Sequence, residues 1–558
     1  MGTKNFSNAN DLITFSRSSA GTALRKIAYG PELVTNGTFD TDVSGWAGGN
    51  ATLSAVSASL RVTNDSSNYG YSYQAISTVI GKTYAVSVTR GSTTSGAVPS
   101  LRVGTSIAGF QNKIILVSSA GDYTAVFVAT STTTYISVLV GSNVAGQYTE
   151  FDNVSVKEVL FDQGDLTLFN HPADVPRIEY DADGNVLGLL VEEARTNLVT
   201  YSEDFSNAAW PKTNVSVTSD AAVSPDGAAN ADFLIEGVST SQHLLRRINS
   251  PEFTPDQIYS YSVFAKRNGR DIQLLLFKTS TFASAKFNLT SGEVDSVSAG
   301  SAEIKDFGNG WYKCSVTGTC PSGASGGSFV DVSLLDGSFS TSYTGDGVSG
   351  AYIYGAQLEA GAFPTSYIPT DGATATRSAD VASIPVADFG FHPNSKGTLF
   401  VEVKTPEVDQ IIAGVAYFNS TSFQNSAGFS KANSGNTQAG GRYLFAAFGG
   451  GNTILDVTDA NTGNFVKLAG VFGDGMLAVA DGGAVLSGTE QTPVPTHLRM
   501  GGRDNGYQSR CHIKSINYYP RRLTNAQLEA LTAPRSSETL FLTFDGLESS
   551  FTEKSIHG

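Results

Sequence analysis

Charged residues and cysteine are both scarce in this sequence. Asp, Glu, Lys and Arg together make up 16% of the 558 residues, and Leu/Lys/Glu-rich helical runs are nearly absent. Three cysteines, Cys314, Cys320 and Cys511, are too few for a disulfide framework. Cys314 and Cys320 could pair, but free, buried thiols are expected. These shortages argue against a helical bundle and against a disulfide-stapled scaffold.

Long apolar runs are missing as well. No stretch approaches the ~20 apolar residues that a membrane-spanning helix needs. The N-terminus, MGTKNFSNANDLITF, lacks the apolar core of a signal peptide. Membrane insertion is therefore not expected, and the protein is expected to be made in the cytoplasm.

Positive charge is in deficit, since the formal net charge is −15. A net negative charge opposes long-range attraction to DNA or to an anionic membrane. Solubility is the simplest reason for the acidity. No nucleic-acid partner is expected.

Strand-forming and turn-forming residues are abundant instead. Ser, Thr, Val, Gly and Tyr are frequent, with 59 Gly and 22 Tyr, a composition typical of many short strands joined by tight turns. Stretches such as SASLRVT, KTYAVSVTR, YTAVFVA and TYISVLV alternate with a period of two. The segment from Tyr352 to Glu359 alternates in the same way. The sequence predicts an all-β chain.

Two parts of the chain share a series of landmarks. PELVTNGTFD and TNLVTYSEDF each precede a tryptophan, Trp46 in one part and Trp210 in the other. KTYAVSVTR corresponds to QIYSYSVFAKR, and the closing strand FDNVSVKEV corresponds to YIYGAQLEA. Such self-similarity predicts an internal repeat of two related domains.

Several phrases resemble jelly-roll modules of tailed-bacteriophage structural proteins. They are TFSRSSAGT, PRIEY…GLLVEEARTNL, GNGWYKCSVTGT and GAQLEAGAFPTSYIPT. The first two resemble the two halves of one short unit that precedes such modules. Here the segment from PELVTNGTFD to FDNVSVKEV, which resembles a carbohydrate-binding-module jelly roll, lies between them. We therefore expect this segment to be a domain inserted into the N-terminal unit.

The C-terminal part resembles the concanavalin A-like/laminin-G-like sandwich. The resemblance rests on GNFVKLAGVFGDGMLAVADGGAVLSG and on HLRMGG followed by CHIKSINYYPRRLTNAQLEAL. Near its end, Leu523 to Leu531 carry a helical pattern with Thr524 as the expected N-cap. Further upstream, Asp181 to Asn185 are expected to form the turn of a hairpin.

The expected fold is a series of tandem β-sandwiches: two jelly rolls, one of them inserted, and one concanavalin-like sandwich. The predicted domains are an N-terminal β unit at residues 1–30 and 160–195, the inserted jelly roll at 31–159, the second jelly roll at 196–370, a linker at 371–395, the sandwich at 396–534 and a C-terminal tail at 535–558.

Motifs for catalysis are not recognisable. The six histidines are scattered, and no HExxH, CxxC, GxSxG or phosphate-binding glycine loop occurs. Carboxylates are common in β-sandwich turns, so none can be assigned to a glycosidase pair. An enzyme is not expected.

Aromatic residues are the candidates for a binding site, because sugars stack on exposed ring faces. Trp46 lies in the first jelly roll, together with the alternating Tyr69, Tyr71 and Tyr73, and Tyr507 lies in an expected turn of the sandwich. Core packing is the alternative, and it is favoured for Trp46 and Trp210. For the three alternating tyrosines the two interpretations are equally supported.

A structural calcium ion is implied by the resemblance of the first jelly roll. Modules of this kind often hold Ca²⁺ between their first and last strands, where Asp40 and Asp152 would be the matching carboxylates. Ordinary surface acids are the alternative, since two carboxylates alone are a weak signal. No other cofactor is expected.

The phage resemblance implies a virion structural protein on the particle surface, as a fibre, collar or head appendage. Expected partners are other copies of the chain (a trimer is favoured), other virion proteins, and host-surface polysaccharide. Coiled-coil heptads and collagen or β-helix repeats are not visible, which favours a compact appendage over a long fibre. The alternative is a secreted bacterial glycan-binding protein or an accessory module of a glycanase.

Overall fold

The regular structure of this protein is β-strand, apart from one short helix, in the part of the chain that is described. The computed structural model describes residues 13–94, 98–117, 119–248, 252–386, 396–405, 412–419, 426–432, 442–448, 452–458, 464–489, 495–502 and 510–534. The predicted all-β fold of tandem β-sandwiches is confirmed.

The first strands in chain order are β1 (Thr14–Ser16), β2 (Gly21–Glu32), β3 (Ala47–Gly49), β4 (Ala51–Ala55), β5 (Leu60–Asn64), β6 (Tyr71–Ser77), β7 (Thr83–Thr93), β8 (Ser100–Gly104), β9 (Lys113–Leu116), β10 (Gly121–Val128), β11 (Thr133–Leu139), β12 (Tyr148–Phe161) and β13 (Asp165–His171). The next are β14 (Arg177–Tyr180), β15 (Val186–Val191), β16 (Arg195–Asn197), β17 (Lys212–Thr213), β18 (Val215–Ala222), β19 (Ala231–Glu236), β20 (Thr240–Gln242), β21 (Leu244–Ile248), β22 (Ile258–Asn268), β23 (Asp271–Lys278), β24 (Ser280–Asn288), β25 (Glu293–Ala299), β26 (Ser301–Asp306), β27 (Trp311–Thr319), β28 (Ser328–Leu335), β29 (Ser342–Thr344), β30 (Gly350–Ala360) and β31 (Ala375–Arg377). The last are β32 (Val381–Pro385), β33 (Gly397–Lys404), β34 (Ile412–Asn419), β35 (Ser426–Ala432), β36 (Tyr443–Phe448), β37 (Asn452–Thr458), β38 (Val466–Phe472), β39 (Met476–Ala480), β40 (Leu486–Gly488), β41 (His497–Met500) and β42 (Cys511–Tyr519), followed by helix α1 (Asn525–Thr532).

These strands belong to two compact units. The inserted unit is Lys26–Asp165, and the main unit is formed by the described residues before and after it. The inserted unit has one sheet in the order β3-β6-β11-β8-β9 and another containing β10-β7-β12-β2, with β5 on β12 and β4 on β5. Apolar side chains of both sheets alternate inward and form its core, which includes Leu60, Val62, Val86, Leu101, Val103, Ile136, Val138 and Phe151.

The second jelly roll belongs to the main unit and repeats this topology. Its sheets run β17-β21-β28-β23-β24-β25 and β18-β19-β30-β22-β27-β26, so β17-β21-β28-β23-β24 follow the same chain order as β3-β6-β11-β8-β9. Equivalent backbone hydrogen bonds attach the first segment to the closing strand. Leu33 N–H donates to Val156 O at 2.9 Å, and Leu198 N–H donates to Leu358 O at 2.7 Å. The predicted internal repeat is therefore present in the structure.

The closing strand β30 is buried on both faces. Ile353, Ala356 and Leu358 lie in the core of the second jelly roll, whereas Tyr354 packs in a separate cluster with Phe264. The phase of the alternation changes at Gly355, which has a φ of +61° beside an irregularity in the pairing with β22. A uniform period of two, as the sequence predicted, therefore does not hold along this strand, because the bulge adds a residue.

The C-terminal sandwich is completed by strands from the beginning of the chain. Its sheets run β1-β32-β41-β34-β35-β36-β37 and β14-β15-β42-β33-β38-β39-β40. Thr14 pairs with Ser383, and Leu190 pairs with His512. Thus β1 and the β14–β15 hairpin extend the two sheets of the sandwich that the sequence predicted at 396–534, a pairing that the sequence analysis did not anticipate.

Local predictions around the sandwich have mixed outcomes. Helix α1 begins after Thr524, whose side chain forms a capping box with Gln527, as predicted. The turn between β14 and β15 is closed by the hydrogen bond from Asp181 N–H to Asn185 O, also as predicted. The expected linker at 371–395 contains β31 and β32, because Ala382 and Ile384 face the sandwich core.

Three further expectations concern the cysteines, the tail and the membrane. Cys314, Cys320 and Cys511 are free and buried. The tail at 535–558 lies outside the described residues. Among the helices that the structure describes, none has the length and apolarity to cross a membrane.

Buried charges lie where the sandwich meets the segments flanking the second jelly roll. We call Arg17, Arg177, Glu192, Arg377 and Asp380 the junction cluster. Asp380 accepts a hydrogen bond from Arg17 Nη1 at 3.0 Å and another from Arg177. Glu192 lies 2.9 Å from Arg177 Nη1 and 3.5 Å from Arg377 Nη2. All of these side chains are at most 1% exposed.

The ionic state of the junction cluster follows from its contacts. Burial by itself would raise the pKa of the Glu192 carboxyl, but Arg377, Arg177 and Arg510 outweigh it and hold this pKa well below its usual range. Ser366, in the segment after β30, donates its Oγ–H to Glu192 Oε2 at 2.7 Å. The cluster thus ties the exit of the second jelly roll to the sandwich.

Candidate functional site

One sheet face of the inserted unit presents aromatic side chains away from the core. Along β6, Ser72, Gln74 and Ile76 are buried, whereas Tyr71 and Tyr73 alternate with them and are half-buried. Tyr135, on the neighbouring strand β11, is half-buried on the same side. Alternation along a strand sends successive side chains to opposite faces, so these three rings share the outer face.

The three rings form a continuous row. The ring centroids of Tyr71 and Tyr73 are 6.2 Å apart, and those of Tyr73 and Tyr135 are 6.3 Å apart. The Tyr71 ring lies over Gly49 of β3, where an added Cβ would come within 2.2 Å of the ring. Glycine at position 49 is thus required for the position of Tyr71. We call the surface of Tyr71, Tyr73 and Tyr135 the tyrosine face.

The same side of the sheet continues with polar and apolar residues, of which Ser137 is fully buried and accepts a hydrogen bond at Oγ from Ala108 N–H at 3.0 Å. Tyr73 is paired with Ser137, Ser137 with Arg102, and Arg102 with Ile114. Ile114 is 43% exposed. Further exposed apolar residues beside it are Phe110 and Leu116. The outward positions of these five strands carry no carboxylate.

Trp46 does not belong to this surface. It is 8% exposed, packs on Phe39 with ring centroids 5.5 Å apart, and donates its indole N–H to Thr35 O and Asn36 O. The glycan-binding role considered for Trp46 is therefore wrong, because the ring has no free face for a ligand. Trp210 is buried in the same way in the second jelly roll, on Phe205.

The other aromatic candidates have different outcomes. Tyr69 precedes β6 in a loop and is 54% exposed. Tyr507 lies outside the described residues. Sequence reasoning missed Tyr135 and Arg102, which join the site only through strand pairing. Their alternation in TYISVLV and SLRVG was visible, but it could not show which strands are neighbours.

The two carboxylates considered for calcium are close enough for the charge of Asp40 to act on Asp152. Burial raises the pKa of the Asp152 carboxyl, and the charges of Asp40 and Asp122 act in the same direction, against the hydrogen bond from Asn153 N–H. Calcium takes about six to eight oxygen ligands. Within the described ranges, however, no group of three or more His, Cys, Asp or Glu side chains is arranged to hold a metal ion. Calcium at Asp40 and Asp152 stays a prediction.

If calcium binds there, adding it should raise the melting temperature of the protein and a chelator should reverse the rise. At a free concentration a hundredfold above Kd, binding stabilises the folded state by about 2.7 kcal/mol. Asp152→Asn should remove the response while leaving the calcium-free melting curve in place. Identical melting curves with calcium and with chelator would rule the ion out.

Comparisons with known proteins find only distant similarities. No protein-family model matches the sequence, and no curated protein matches it. A solved structure entitled "CBM4 structure and function" is 15% identical, with a TM-score of 0.19, and the match covers 22% of this chain and 99% of that one. The N-terminal CBM22-1-CBM22-2 tandem domain of Paenibacillus barcinonensis Xyn10C is 13% identical, with a TM-score of 0.21. That match covers 59% of this chain and 97% of the other. Similarities at this level carry no argument about function.

Proposed function

We propose that this chain binds glycans and that the tyrosine face of the inserted unit is the binding surface. The observation that carries the proposal is the row of three half-exposed rings, spaced by 6.2 and 6.3 Å, on one sheet face. Sugar rings present apolar C–H faces that pack on aromatic rings, and phenolic hydroxyls supply hydrogen bonds beside them. Several rings in a row suit a chain of sugars better than a single one.

The proposed activity is binding without turnover. Function is argued from the groups in a site, and the outward positions of the five strands offer aromatic, hydroxyl and guanidinium groups but no pair of carboxylates for glycoside hydrolysis. A single shallow surface of this kind binds weakly, so many copies are needed for firm attachment. Hydrolysis of a polysaccharide by the pure protein would contradict this part of the proposal.

We propose further that the chain is a structural protein on the surface of a tailed-phage particle, where it engages host-surface polysaccharide. The phage-like phrases of the sequence support this setting, and a homotrimer attached to other virion proteins would supply the many copies. The alternative is a secreted bacterial glycan-binding protein or an accessory module of a glycanase. Light scattering on the intact protein is the first test: a trimer favours the particle, and a monomer leaves either a decoration that assembles only on its particle or a stand-alone glycan-binding module.

Tyr73 is the central ring of the row, so its removal should have the largest effect on binding. We expect Tyr73→Ala to weaken binding of the intact protein to its best polysaccharide at least tenfold, since ring contacts on both sides are lost. Tyr73→Phe should keep most of the affinity because it keeps the ring. Binding is measured by biolayer interferometry after screening bacterial surface polysaccharides on an array.

Tyr29 provides the matched control. It is a tyrosine of β2, in the other sheet of the inserted unit, and is 51% exposed. Tyr29→Ala should leave the affinity unchanged. Equal affinities for the wild type and Tyr73→Ala would remove the tyrosine face from the proposal. Failure of the intact protein to bind any polysaccharide on the array would overturn glycan binding itself.

A further inference from the structure

A single guanidinium occupies the outer face that carries the tyrosines. Among the outward positions of the five strands, Arg102 on β8 is the one cation. The register Tyr73–Ser137–Arg102 puts Tyr73 and Arg102 two strands apart in one row. Neighbouring strands are spaced by about 4.8 Å, so the two Cα atoms are separated by about 10 Å. Ser137 between them is fully buried, with Ala108 N–H donating to its Oγ, so a ligand stacked on Tyr73 reaches Arg102 by passing over the segment that contains Ala108.

The guanidinium of Arg102 is only partly satisfied by the protein. Nη1 donates to Ala108 O at 3.3 Å, and the group lies 5.6 Å from the centroid of the Phe110 ring. Nε is buried and has no hydrogen-bond acceptor. Arg102 makes no ion pair with any acid in the described part of the chain. A partly buried cation without a carboxylate is unfavourable unless something else supplies the negative charge.

In the second jelly roll, an arginine on the corresponding sheet has a carboxylate partner within the protein. There Arg246 on β21 lies directly opposite Asp331 on β28. Its Nε and Nη2 donate to the two carboxylate oxygens, each at 2.7 Å. In the inserted unit, the strand that corresponds to β28 is β11, and the residue opposite Arg102 is Ser137. The two arginines lie on opposite sides of the central strand, because β8 corresponds to β23, where Leu275 is opposite Asp331. Arg246 thus faces a carboxylate across the central strand, whereas Arg102 faces a hydroxyl.

We propose that Arg102 binds a carboxylate of the ligand, and that the tyrosine face is therefore specific for acidic glycans, those containing uronic or sialic acid residues. This inference rests on the proposed glycan binding and names the class of glycan. The guanidinium fork matches a carboxylate in plane and charge, which gives both affinity and orientation. The rings hold the apolar faces of the sugars, and Arg102 selects the chains that carry acid groups.

The test compares acidic polysaccharides with their neutral counterparts. The probes are polygalacturonate, alginate and polysialic acid, each beside its methyl-esterified form, with the intact protein as the binding partner. At least one acidic form should bind ten times or more tightly than its ester, and added salt should reduce the difference. Arg102→Gln should abolish the preference and leave the weaker binding of the ester in place.

A second variant gives Arg102 a carboxylate on the neighbouring strand. Ser137→Asp places a carboxylate opposite Arg102, as Asp331 lies opposite Arg246, and should also abolish the preference by satisfying the guanidinium internally. Ser137 is fully buried and its Oγ accepts a hydrogen bond from Ala108 N–H at 3.0 Å, which a carboxylate oxygen can also accept, and a melting curve checks that the variant remains folded. Arg246→Gln is the control and should leave the preference intact.

The outcomes separate the two proposals. If an ester binds as tightly as its acid, and Tyr73→Ala abolishes both, the inference about Arg102 is wrong and glycan binding stands. If acid forms are preferred equally by the wild type and Arg102→Gln, the preference arises elsewhere and the inference is again wrong. If neither the acids and esters nor any other polysaccharide binds, glycan binding itself fails, and the specificity fails with it.

Discussion

Replacing Asp380 by alanine should lower the free energy of unfolding of the main unit by about 3–5 kcal/mol, the cost of breaking a buried ion pair by removing one partner. Asp380 is 1% exposed and accepts hydrogen bonds from Arg17, from Arg177 and from Glu192 N–H at 2.9 Å. Without it, Arg17 keeps backbone carbonyls of Ser19 and Pro172 as acceptors but loses its carboxylate. A buried guanidinium is then left without a compensating charge.

The unfolding is followed by tryptophan fluorescence in urea, because Trp210 and Trp311 both lie in the main unit. Asp295 is exposed on β25 and provides the control. Asp295→Ala should change the stability by no more than about 0.5 kcal/mol, as surface substitutions usually do. A loss below about 1 kcal/mol for Asp380→Ala would mean that the junction cluster contributes little to stability.

The C-terminal sandwich should not fold when it is produced by itself. A fragment of residues 375–534 lacks β1, β14 and β15, so one edge strand of the first sheet and two strands of the second are missing. The loss uncovers β42 along its pairing with β15 and removes Leu189 and Val191 from the core. Each of these buried side chains accounts for about 1.5–3 kcal/mol, a large part of the whole stability of a domain. We expect an insoluble or unfolded chain.

Removal of the inserted unit is the informative comparison. A chain in which a short Gly/Ser linker replaces residues 26–165 loses the whole inserted unit, yet it keeps β1, β14 and β15. It should remain soluble, show a β-type circular dichroism spectrum and melt cooperatively. A folded 375–534 fragment, or an unfolded deletion chain, would contradict the view that the sandwich is assembled from both ends of the chain.

Much of this fold could be read from the sequence because its signals are local. Period-two alternation, the capping box at Thr524 and Gln527, and the Asp181–Asn185 turn depend on residues close together in the chain. The internal repeat was visible because both copies keep their landmarks in the same order. For Trp46 and Trp210, the core interpretation fits the burial of both rings.

The junction cluster and the full membership of the candidate site could not be predicted, because they depend on pairing between residues far apart in the sequence. Arg17 and Asp380 are 363 positions apart, and the phrases SRSS and TRSAD give no sign that they meet. The structure gives these phrases a common role, because together with PRIEY and VEEAR they supply all the members of the junction cluster. SRSS contains Arg17, and TRSAD contains Arg377 and Asp380. PRIEY contains Arg177, and VEEAR contains Glu192. Likewise, Tyr135 and Arg102 lie near Tyr73 only because β11 pairs with both β6 and β8.

The pairing of β1 with β32 sets an order of events during synthesis. At about 5–20 residues per second, a ribosome needs roughly 20 to 70 s to travel from Ser16 to Val381. Both jelly rolls are synthesised in that interval, while β1 and the β14–β15 hairpin are without their partners. The sandwich can close only after β42 leaves the ribosome. Strand β1 is therefore synthesised long before its partner β32 and is among the last segments to be buried.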